Sequence, residues 1–590
     1  MAHVLTIRPT IVCATCLLAV MTGAAPPADE DVLMQALIDE LGRSMSLQLE
    51  DLQPPYFVQY AVDDSETYRI SATCGAIVSS DDGRSRRLSA AVRVGSYELD
   101  NTNFAGGGGG FGGRRRGGGG GGAGGMAALP TEDSYTAIRQ AAWLATDAAY
   151  KSAVETLARK QAYMEDRNLE DRSDDFARAE PIVSIEPKAA LDLDVKGWER
   201  RLRTISARFL EYPHVLDSQI TLTAGADTRY VVNSEGTRMR NGVVGVVLAI
   251  SAQAQAEDGE QLSDRITHHA PTADQLPPEA ELLAEVDAMA RRLTGRAQAS
   301  VLENYLGPVL FDERAAPQLV QAMLGRGVAA NPDPVGGGRR RFAGLETLDK
   351  YLGKRILPRS FRVWDDPRAA WLGERYLAGH YAIDDEGVEA QRVDIVIGGK
   401  LQQMLMSRAP TADFAASNGH GRAAGLGRTR AAVGCLFVEA DDGLSDEELK
   451  EALIEAVIDQ DLEYGLRVTS ISGGARQAAS RMPAQFARGG GGAAAGGPLG
   501  DPVAIYKVYP DGREEPVRGC EFGMLDVGTL KDIIAAGREP IIYNTGSATG
   551  APASIVAPAV LFEEVELFTI EAEHQTLPIV DAPHQRKGAR

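Results

Sequence analysis

The sequence predicts an α+β protein built from two parts of different texture. In the first half, segments with apolar residues at three- and four-residue spacing alternate with runs of alternating apolar and polar residues. This combination is typical of helices packed beside an antiparallel sheet. In the second half, short strand-like pieces separated by turns dominate. We therefore predict an N-terminal α/β domain with an antiparallel sheet and long helices, followed by a mainly β C-terminal domain.

Composition sets the limits of these two domains. Residues 1–25 contain a basic residue, an apolar run and a small-residue site, the order typical of an export signal, although a buried helix is the alternative. We expect an exported chain, periplasmic or extracellular, without a transmembrane segment in its mature part. Glycine-rich insertions at residues 105–125 and 487–497 are expected to be flexible. The predicted domains cover residues 26–300 and 301–590.

Bulk properties disfavour several functional classes. A formal net charge of −21 argues against a surface that binds nucleic-acid phosphates. The mature chain has Cys74, Cys435 and Cys520, whose distant spacing fits neither a disulfide framework nor a zinc ribbon, and we expect all three to be buried. The glycine-rich run matches G-x-G-x-x-G many times, but no strand and helix flank it, so it does not predict a nucleotide site.

In the first half, helices are predicted from their apolar spacing and strands from their alternation. The predicted helices are residues 29–49, 130–165, 195–210 and 277–302, and the predicted strands are residues 56–62, 68–79 and 86–97, with further strands within 214–256 around a hairpin turn at 233–236.

The second half begins at residues 305–330, where a buried strand at 308–311 leads through a turn into an amphipathic helix. Pro317 fits only the first turn of that helix, and Gly325 and Gly327 end it. A later helix at 445–458 opens with a capping box of Ser445 and Glu448. The predicted strands are 361–364, 376–383, 393–397, 434–439, 468–471, 504–509 and 555–560.

Five motifs occur in a fixed order along the chain. They are NSEGT at 233–237, IDDEGV at 383–388, IGGKLQQMLMSRAPTADFAASNGHGR at 397–422, CLFVEADDGLSDEEL at 435–449 and SIVAPAVLFEEV at 554–565. The ordered set closely resembles the TldD/PmbA family, also called the TldD/TldE metallopeptidase family, over about residues 56 to 568.

This resemblance implies a fold and an activity. Family members join an N-terminal α/β domain to a mostly β C-terminal domain and assemble as TldD–TldE heterodimers around a cleft. The TldD-type subunit carries zinc on a helix with a His-Glu-x-x-x-His motif, together with a downstream Cys. The pair degrades or processes unfolded and modified peptides. The TldE or PmbA type lacks the metal motif and has an architectural and substrate-binding role.

Transferred to this chain, the metal helix is the one that follows the GPVLF strand. The resemblance places Gln321 at the first His, Ala322 at the Glu and Arg326 at the second His. An amide, a methyl group and a permanent cation do not make a zinc site, so we expect no catalytic residue and no cofactor in this chain. Zinc is expected only in a TldD-like partner. Residues five apart would also need a distorted helix to share one face.

The downstream Cys of the family falls near Cys435, although the register favours Phe437 at that position. Cys435 is more simply explained as a buried strand residue.

Two polar clusters are candidates for lining a peptide cleft. Asp384, Asp385 and Glu386 could form an acid/base or cation site, or a turn that caps backbone N–H groups. Asn418, His420 and Arg422 could clamp a substrate carboxylate or a peptide backbone, or could build a structural loop. His268 and His269 make a weak metal pair, and Ser554 lacks the context of a nucleophile.

Three functions remain open at this point. The favoured one is a non-catalytic, TldE-like pseudoenzyme subunit that assembles with a TldD-like partner and binds unfolded or modified peptides for proteolytic processing. The second is an active metal-dependent peptidase with other ligands, such as His420, Asp384 and Glu386. The third is a homodimeric interaction protein. Whether the chain is an enzyme is left open.

Overall fold

The structure is a computed structural model, and it confirms the α+β fold class. It describes residues 31–47, 52–105, 125–169, 172–336, 348–423, 425–472, 499–546 and 551–571. The predicted export signal, the interior of the first glycine-rich insertion and all of the second lie outside the described residues. Among the described residues, no helix combines the length and the apolar character that a membrane crossing requires.

The first part is a seven-stranded sheet with helices. Its helices are α1 (Val32–Ser44), α2 (Tyr135–Arg167), α3 (Val195–Ala207) and α4 (Glu279–Gln298). Its strands are β1 (Pro55–Thr73), β2 (Ala76–Val94), β3 (Met126–Ala128), β4 (Val183–Ile185), β5 (Asp217–Asn233), β6 (Arg238–Gln255) and β7 (Gln261–Ala270). They run in the order β3-β2-β1-β5-β6-β4, and β7 pairs with β6.

The three short strands predicted between residues 56 and 97 are wrong, because β1 and β2 form one long hairpin of two 19-residue strands. The polar segments that resemble turns in the sequence pair across the hairpin instead. Asp64 lies opposite Arg86, with 2.6 Å between carboxylate and guanidinium, and Glu66 lies opposite Arg84. Cys74 was expected to be buried, but it is exposed at the hairpin turn and adopts a positive φ of 47°.

The sheet uses one face for its own core and the other for the second part of the chain. Even-numbered side chains towards the two ends of β1, such as Tyr60 and Ile70, are fully buried in two clusters beneath the helices. The helices α1 and α2 cover one end of this face, and α3 and α4 cover the other end. Because side chains alternate along a strand, Phe57, Asp63 and Arg229 project from the opposite face.

The second part holds two larger sheets and two α-helices. The helices are α5 (Ala315–Val320) and α6 (Asp446–Asp459). The strands are β8 (Ser300–Val301), β9 (Tyr305–Phe311), β10 (Ala329–Ala330), β11 (Phe361–Asp365), β12 (Trp371–Leu372), β13 (Arg375–Tyr376), β14 (Val393–Ile397), β15 (Lys400–Leu401), β16 (Leu405–Met406), β17 (Gly421–Arg422), β18 (Arg430–Ala431), β19 (Cys435–Ala440), β20 (Gly465–Ile471), β21 (Pro502–Val508), β22 (Glu514–Arg518), β23 (Cys520–Phe522), β24 (Ile533–Ala536), β25 (Ile541–Thr545), β26 (Ala553–Ala557) and β27 (Val560–Thr569).

The two larger sheets enclose one core. The eight-stranded sheet has the order β23-β27-β9-β20-β21-β22-β8, with β24 paired to β27, and the six-stranded sheet has the order β15-β14-β11-β19-β26-β25. Helix α5 packs against β20 of the first sheet and β26 of the second. The capping box at the start of α6 is confirmed, because Ser445 and Glu448 bond each other's backbone N–H groups.

The strand predicted at residues 376–383 is wrong beyond its first residue. Only the short strand β13 forms, and the chain then turns closely against β19. A Cβ atom at Gly379 would lie 2.1 Å from the carbonyl oxygen of Gly434, so glycine permits this approach. The contact replaces the strand that the apolar alternation suggested.

Candidate functional site

The helix that the family resemblance connects with zinc ends in a widened turn. After α5, residues Gln321–Gly325 continue as a π-helix. In a straight α-helix, residues five apart lie about 140° from each other, whereas the wider π turn brings them closer to one face. Gln321 and Arg326 are such a pair, so the predicted helix distortion is confirmed. Turns of this kind are frequent at functional sites.

The side chains at this turn do not fit a zinc ion. Gln321 offers a neutral amide, Ala322 a methyl group against the core, and Arg326 an exposed guanidinium. Zinc in proteins takes imidazole, thiolate or carboxylate ligands, and a permanent cation repels it. None of the eight histidines in the sequence is followed by a glutamate. Among the described residues, no three His, Cys, Asp or Glu side chains are grouped to hold a metal ion.

Packing rather than polar chemistry fixes this turn in place. Leu319 and Leu324 are 1% exposed and belong to the main core of the second part. The neighbouring Gln318 accepts a hydrogen bond from the backbone N–H of Ile471 at 2.9 Å, which ties α5 to the end of β20. The predicted Pro317 lies in the first turn of α5, as expected. The turn is therefore a rigid apolar element.

The two positions that could match the downstream Cys lie on β19. Cys435 is fully buried with its Sγ 3.5 Å from the carbonyl oxygen of Ala369, and burial raises the pKa of this thiol well above its usual range. Phe437 stacks on Trp364 with 5.3 Å between ring centroids. A protonated, buried thiol and a phenyl ring are poor metal ligands. The interpretation of Cys435 as a buried strand residue is confirmed.

The three acidic residues of the IDDEGV motif form a buried capping turn. Asp384 Oδ1 accepts from the N–H groups of Glu386 and Val388, both at 2.9 Å, and its Oδ2 accepts from Gly421 N–H at 2.8 Å. Glu386 accepts a single backbone bond, from Arg408 N–H at 2.6 Å. The prediction that this cluster caps backbone N–H groups is confirmed.

The pKa values of two carboxyl groups in this cluster are raised. Burial and the adjacent Glu386 raise the pKa of Asp384, and burial also raises the pKa of Glu386. Two buried carboxylates at close range cannot both stay ionised. Asp384 accepts three N–H bonds and Glu386 only one, so hydrogen bonding favours the ionised form of Asp384 more than that of Glu386. A Cβ atom at Gly421 would lie 2.5 Å from Glu386 Oε2, so this crowding requires glycine.

Asp385 forms an ion pair with the first part of the chain. Arg229 donates to Asp385 and, through Nε and Nη2, to Asp63 at 2.7 and 3.0 Å. Burial opposes the ionised form of Asp385, but Arg229 and Arg422 outweigh it and lower its pKa. Burial likewise opposes the charge of Arg229, yet Asp385 and Asp63 raise its pKa. We call this contact between the two parts the junction.

Arg408 adds a second bond to the junction. Its side chain is 1% exposed, and it donates to the carbonyl oxygen of Ala177 at 2.8 and 3.0 Å and to Glu235 at 2.8 Å. Its guanidinium also lies 4.0 Å from the ring centroid of Phe176. Glu235 belongs to the NSEGT motif, where the predicted hairpin turn joins β5 to β6. Two of the five motifs therefore meet at this contact.

The SNGHGR loop, residues 417–422, forms hydrogen bonds with residues 404–406, with Asp365 and within itself. Asn418 accepts from Met406 N–H at 2.8 Å and donates to the Met404 carbonyl at 2.9 Å. His420 is fully buried, with Nε2 3.2 Å from Asp365 and Nδ1 3.0 Å from Asn418. These contacts favour the structural-loop interpretation for both residues. Arg422 lies 4.1 Å from the centroid of the Tyr381 ring and 3.8 Å from Asp385, so it belongs to the junction.

The remaining candidates lie apart from these residues. His268 Nε2 is 2.7 Å from Glu285, while His269 Nε2 faces the Gly546 carbonyl at 3.4 Å, so the two imidazoles have separate partners. Ser554 is fully buried, donates to Asn544 at 2.6 Å and accepts from Gly379 N–H at 2.9 Å. Neither the two histidines nor Ser554 is therefore in a reactive arrangement.

A cavity of about 910 Å³ adjoins the junction, and no motif in the sequence predicts it. It lies between β1 and β2, residues 149–159 of α2, the loop before the first glycine-rich insertion, and residues 425–429. Asp385 and Glu386, predicted as cleft residues, line it, together with Arg93, Arg229 and Arg428. Of the six predicted cleft residues, these two therefore reach an open space.

The arginines of the cavity were missed, but part of the signal was present. Arg93 and Arg229 stand at odd-numbered positions of strands whose even-numbered residues form the core, so their side chains had to face a polar neighbour. Arg428 gave no such signal, because its contact, Asn103, lies 325 residues away along the chain.

Comparisons with known proteins give one family model and several solved structures with a similar fold. Residues 304–504 match the family described as PmbA/TldA metallopeptidase C-terminal domain. No curated protein matches the chain. Among solved structures, TldE from Thermococcus kodakarensis is 12% identical with a TM-score of 0.57, and the match covers 91% of this chain and 100% of that one.

Two further structures come from proteins described as candidate modulators of DNA gyrase. The one from Thermotoga maritima is 13% identical with a TM-score of 0.54, covering 87% of this chain and 96% of that one. The one from Bacteroides thetaiotaomicron is 12% identical with a TM-score of 0.53, covering 91% and 98%. At such identities the likeness shows a shared fold.

Proposed function

The chain belongs to the TldD/PmbA family, and from this premise we propose that it is a non-catalytic, TldE-like subunit. It assembles with a zinc-bearing, TldD-like partner and helps to hold unfolded or modified peptides for processing. In this role it supplies scaffold and binding surface, while the partner supplies the metal and the proton transfer.

The observation that carries the proposal is the turn after α5. It keeps the widened shape that a five-residue spacing requires, yet it presents Gln321, Ala322 and Arg326. A zinc peptidase needs metal ligands and a carboxylate that accepts a proton from the bound water. The cavity at the junction supports the binding role, because about 910 Å³ is enough for a short peptide segment.

The alternative of a peptidase with other ligands gains no support. His420 and Asp384 are fully buried, and their polar atoms are engaged by Asp365, Asn418 and backbone N–H groups. A metal would have to break these bonds before it could bind. A homodimeric role is separated from the proposal by the experiment below.

The test compares the purified chain alone with the chain mixed with a family member that has an intact His-Glu-x-x-x-His motif. We expect less than about 0.1 zinc per isolated chain by mass spectrometry and no hydrolysis of a denatured protein. We expect chelator-sensitive hydrolysis only when both chains are present, and a mixed dimer by light scattering. Alanine at the partner's first His should abolish hydrolysis.

A matched variant probes the turn itself. Gln321→His combined with Ala322→Glu and Arg326→His restores the missing donors, and we expect it to bind zinc at least about tenfold more tightly than the wild type. Stoichiometric zinc with chelator-sensitive cleavage in the wild-type chain alone would overturn the proposal. A stable homodimer that ignores the partner would favour the interaction-protein alternative.

A further inference from the structure

Two of the four arginines that line the cavity at the junction, Arg428 and Arg159, differ from Arg93 and Arg229 in having no carboxylate partner among the described residues. Arg93 is paired with Asp100 at 2.7 Å, and Arg229 is paired with Asp63 and Asp385. Arg428 has no carboxylate within ion-pair distance among the described residues. Its one contact is a hydrogen bond from Nη2 to the neutral Asn103 Oδ1 at 2.7 Å. Most of its donors therefore face the cavity without an anionic partner.

The surroundings of Arg428 add to this imbalance. Burial, together with Arg430 and Arg93, lowers the pKa of Arg428, and the nearby Asp100 and Asp175 do not offset these effects. Asp100 is bonded to Arg93, and Asp175 is bonded to Lys160 at 2.5 Å, so both are already used. The chain as a whole carries a net charge of −21. Arg159 also lines the cavity, and among the described residues its hydrogen-bond contact is the neutral Thr156 Oγ1 at 3.3 Å. Within the part of the chain that the structure describes, two cations without a carboxylate partner in a cavity of so acidic a protein point to an anionic ligand.

The rest of the wall limits the class of anion. Phe104 and Leu426 add apolar surface to the wall of the cavity. Leu426 lies two residues before Arg428 in the chain, and Phe104 follows Asn103, the hydrogen-bond partner of Arg428. Asp385 and Glu386 line the same cavity, and their side-chain oxygens can accept hydrogen bonds from peptide N–H groups. One carboxylate, one apolar side chain and backbone N–H donors together describe the last residue of a peptide.

We propose that the junction cavity binds the C-terminal end of a peptide, with its terminal carboxylate on Arg428 and its last side chain against Phe104 and Leu426. The inference rests on the proposed peptide-binding function and names the part of the peptide that this chain recognises. The site would hold a substrate peptide by its C-terminal residue. The interior of the peptide would remain accessible to the partner subunit.

The test uses the full-length chain, which retains residues 106–124, and two fluorescent peptides of identical sequence ending in Leu. One ends in a free carboxylate and the other in an amide. Because a hydrogen bond to a charged group contributes about 1.5–3 kcal/mol, we expect the amide to bind roughly ten- to a hundredfold more weakly. Anisotropy titrations measure both dissociation constants.

Arg428→Gln should weaken binding of the free-acid peptide by at least about tenfold and remove the difference between acid and amide. Arg428→Lys should keep part of the preference, because the charge remains without the planar fork. Arg430→Gln is the matched control: this neighbouring arginine is exposed, as Arg428 is, but it does not line the cavity, so the preference should persist. Circular dichroism checks that each variant is folded.

The outcomes separate the two proposals. If both peptides bind equally well, or if the preference survives in Arg428→Gln, the carboxylate site is wrong while peptide binding stands. If neither peptide binds to the chain or to its complex with the partner, the proposed function fails together with the site.

Discussion

Two regions of this protein use polar and apolar residues in opposite ways. The turn after α5, where the family resemblance would put chemistry, is held by Leu319 and Leu324 and presents no titratable side chain to the core. The motifs of the junction look catalytic in the sequence. In the structure, their carboxylates and guanidiniums form ion pairs that hold two parts of the chain together. The contrast teaches that a motif rich in charged residues can have a structural role. The observation that bears on catalysis comes instead from a helix turn that has no charged side chain in the core.

The largest expected effect is at the junction. Arg229→Ala leaves Asp63 and Asp385 buried without their shared cation, and breaking such an arrangement costs about 3–5 kcal/mol. We expect a marked decrease in the urea midpoint at pH 7. If the junction were a loose surface contact, the midpoint would hardly move.

The matched arginine is Arg326, which is exposed at the other region. Arg326→Ala should change the free energy of unfolding by no more than about 0.5 kcal/mol, as expected for a surface substitution. A large loss here would mean that the turn depends on charge after all, and the comparison between the two regions would fail.

The second effect tests the apolar side of the comparison. Leu324 is 1% exposed, and Leu324→Ala should cost about 2–4 kcal/mol through lost burial and a residual cavity. Because no ion pair is involved, the loss should be the same at pH 5.5 and pH 8 and at low and high salt. A loss that varies strongly with pH would show that titratable groups stabilise this turn.

The smallest effect depends on pH. Burial and the neighbouring Asp63 raise the pKa of Asp227 to about 6, from an ordinary value of 3.8. Between these values the folded state binds more protons than the unfolded state, so this group reduces stability as pH rises. Asp227→Asn should therefore stabilise the chain by about 1–3 kcal/mol at pH 8, and the gain should vanish near pH 4.

Asp264→Asn should change the free energy of unfolding in the opposite direction to Asp227→Asn. Burial opposes ionisation of Asp264, but Arg292 and Arg314 outweigh it and lower its pKa. Its ionised form therefore stabilises the fold above pH 4, and this stabilisation is lost as pH falls through the lowered pKa. The variant should destabilise the chain at neutral pH. Equal signs for the two variants would contradict the assignment of charge at these sites.

What the sequence could predict was local. The capping box of α6, the turn between β9 and α5 and the capping role of Asp384 follow from neighbouring residues, and they were expected. The continuity of β1 and β2 was missed because it depends on cross-strand pairs such as Asp64 with Arg86. Polar residues there look like turns until their partners are known.

The candidate site was predicted less completely for the same reason. Asn418 and His420 are residue types that could clamp a substrate. Their hydrogen-bond partners, however, are the Met404 carbonyl, each other and the buried Asp365. Arg428 has no motif at all, and its importance arises only because the fold brings Asn103 and a cavity beside it. Such juxtapositions are properties of topology, and a single sequence does not contain them in readable form.

The pairing of β9 has a kinetic consequence. This central strand is hydrogen-bonded on one side to β27, so that Phe311 lies opposite Val560, about 250 residues later. Contacts between such distant residues require closure of a long loop and are slow to form. The eight-stranded sheet cannot be completed until the chain has been synthesised as far as Thr569, the last residue of β27. A truncation that removes β27 should therefore leave an aggregation-prone nascent chain rather than a smaller folded protein.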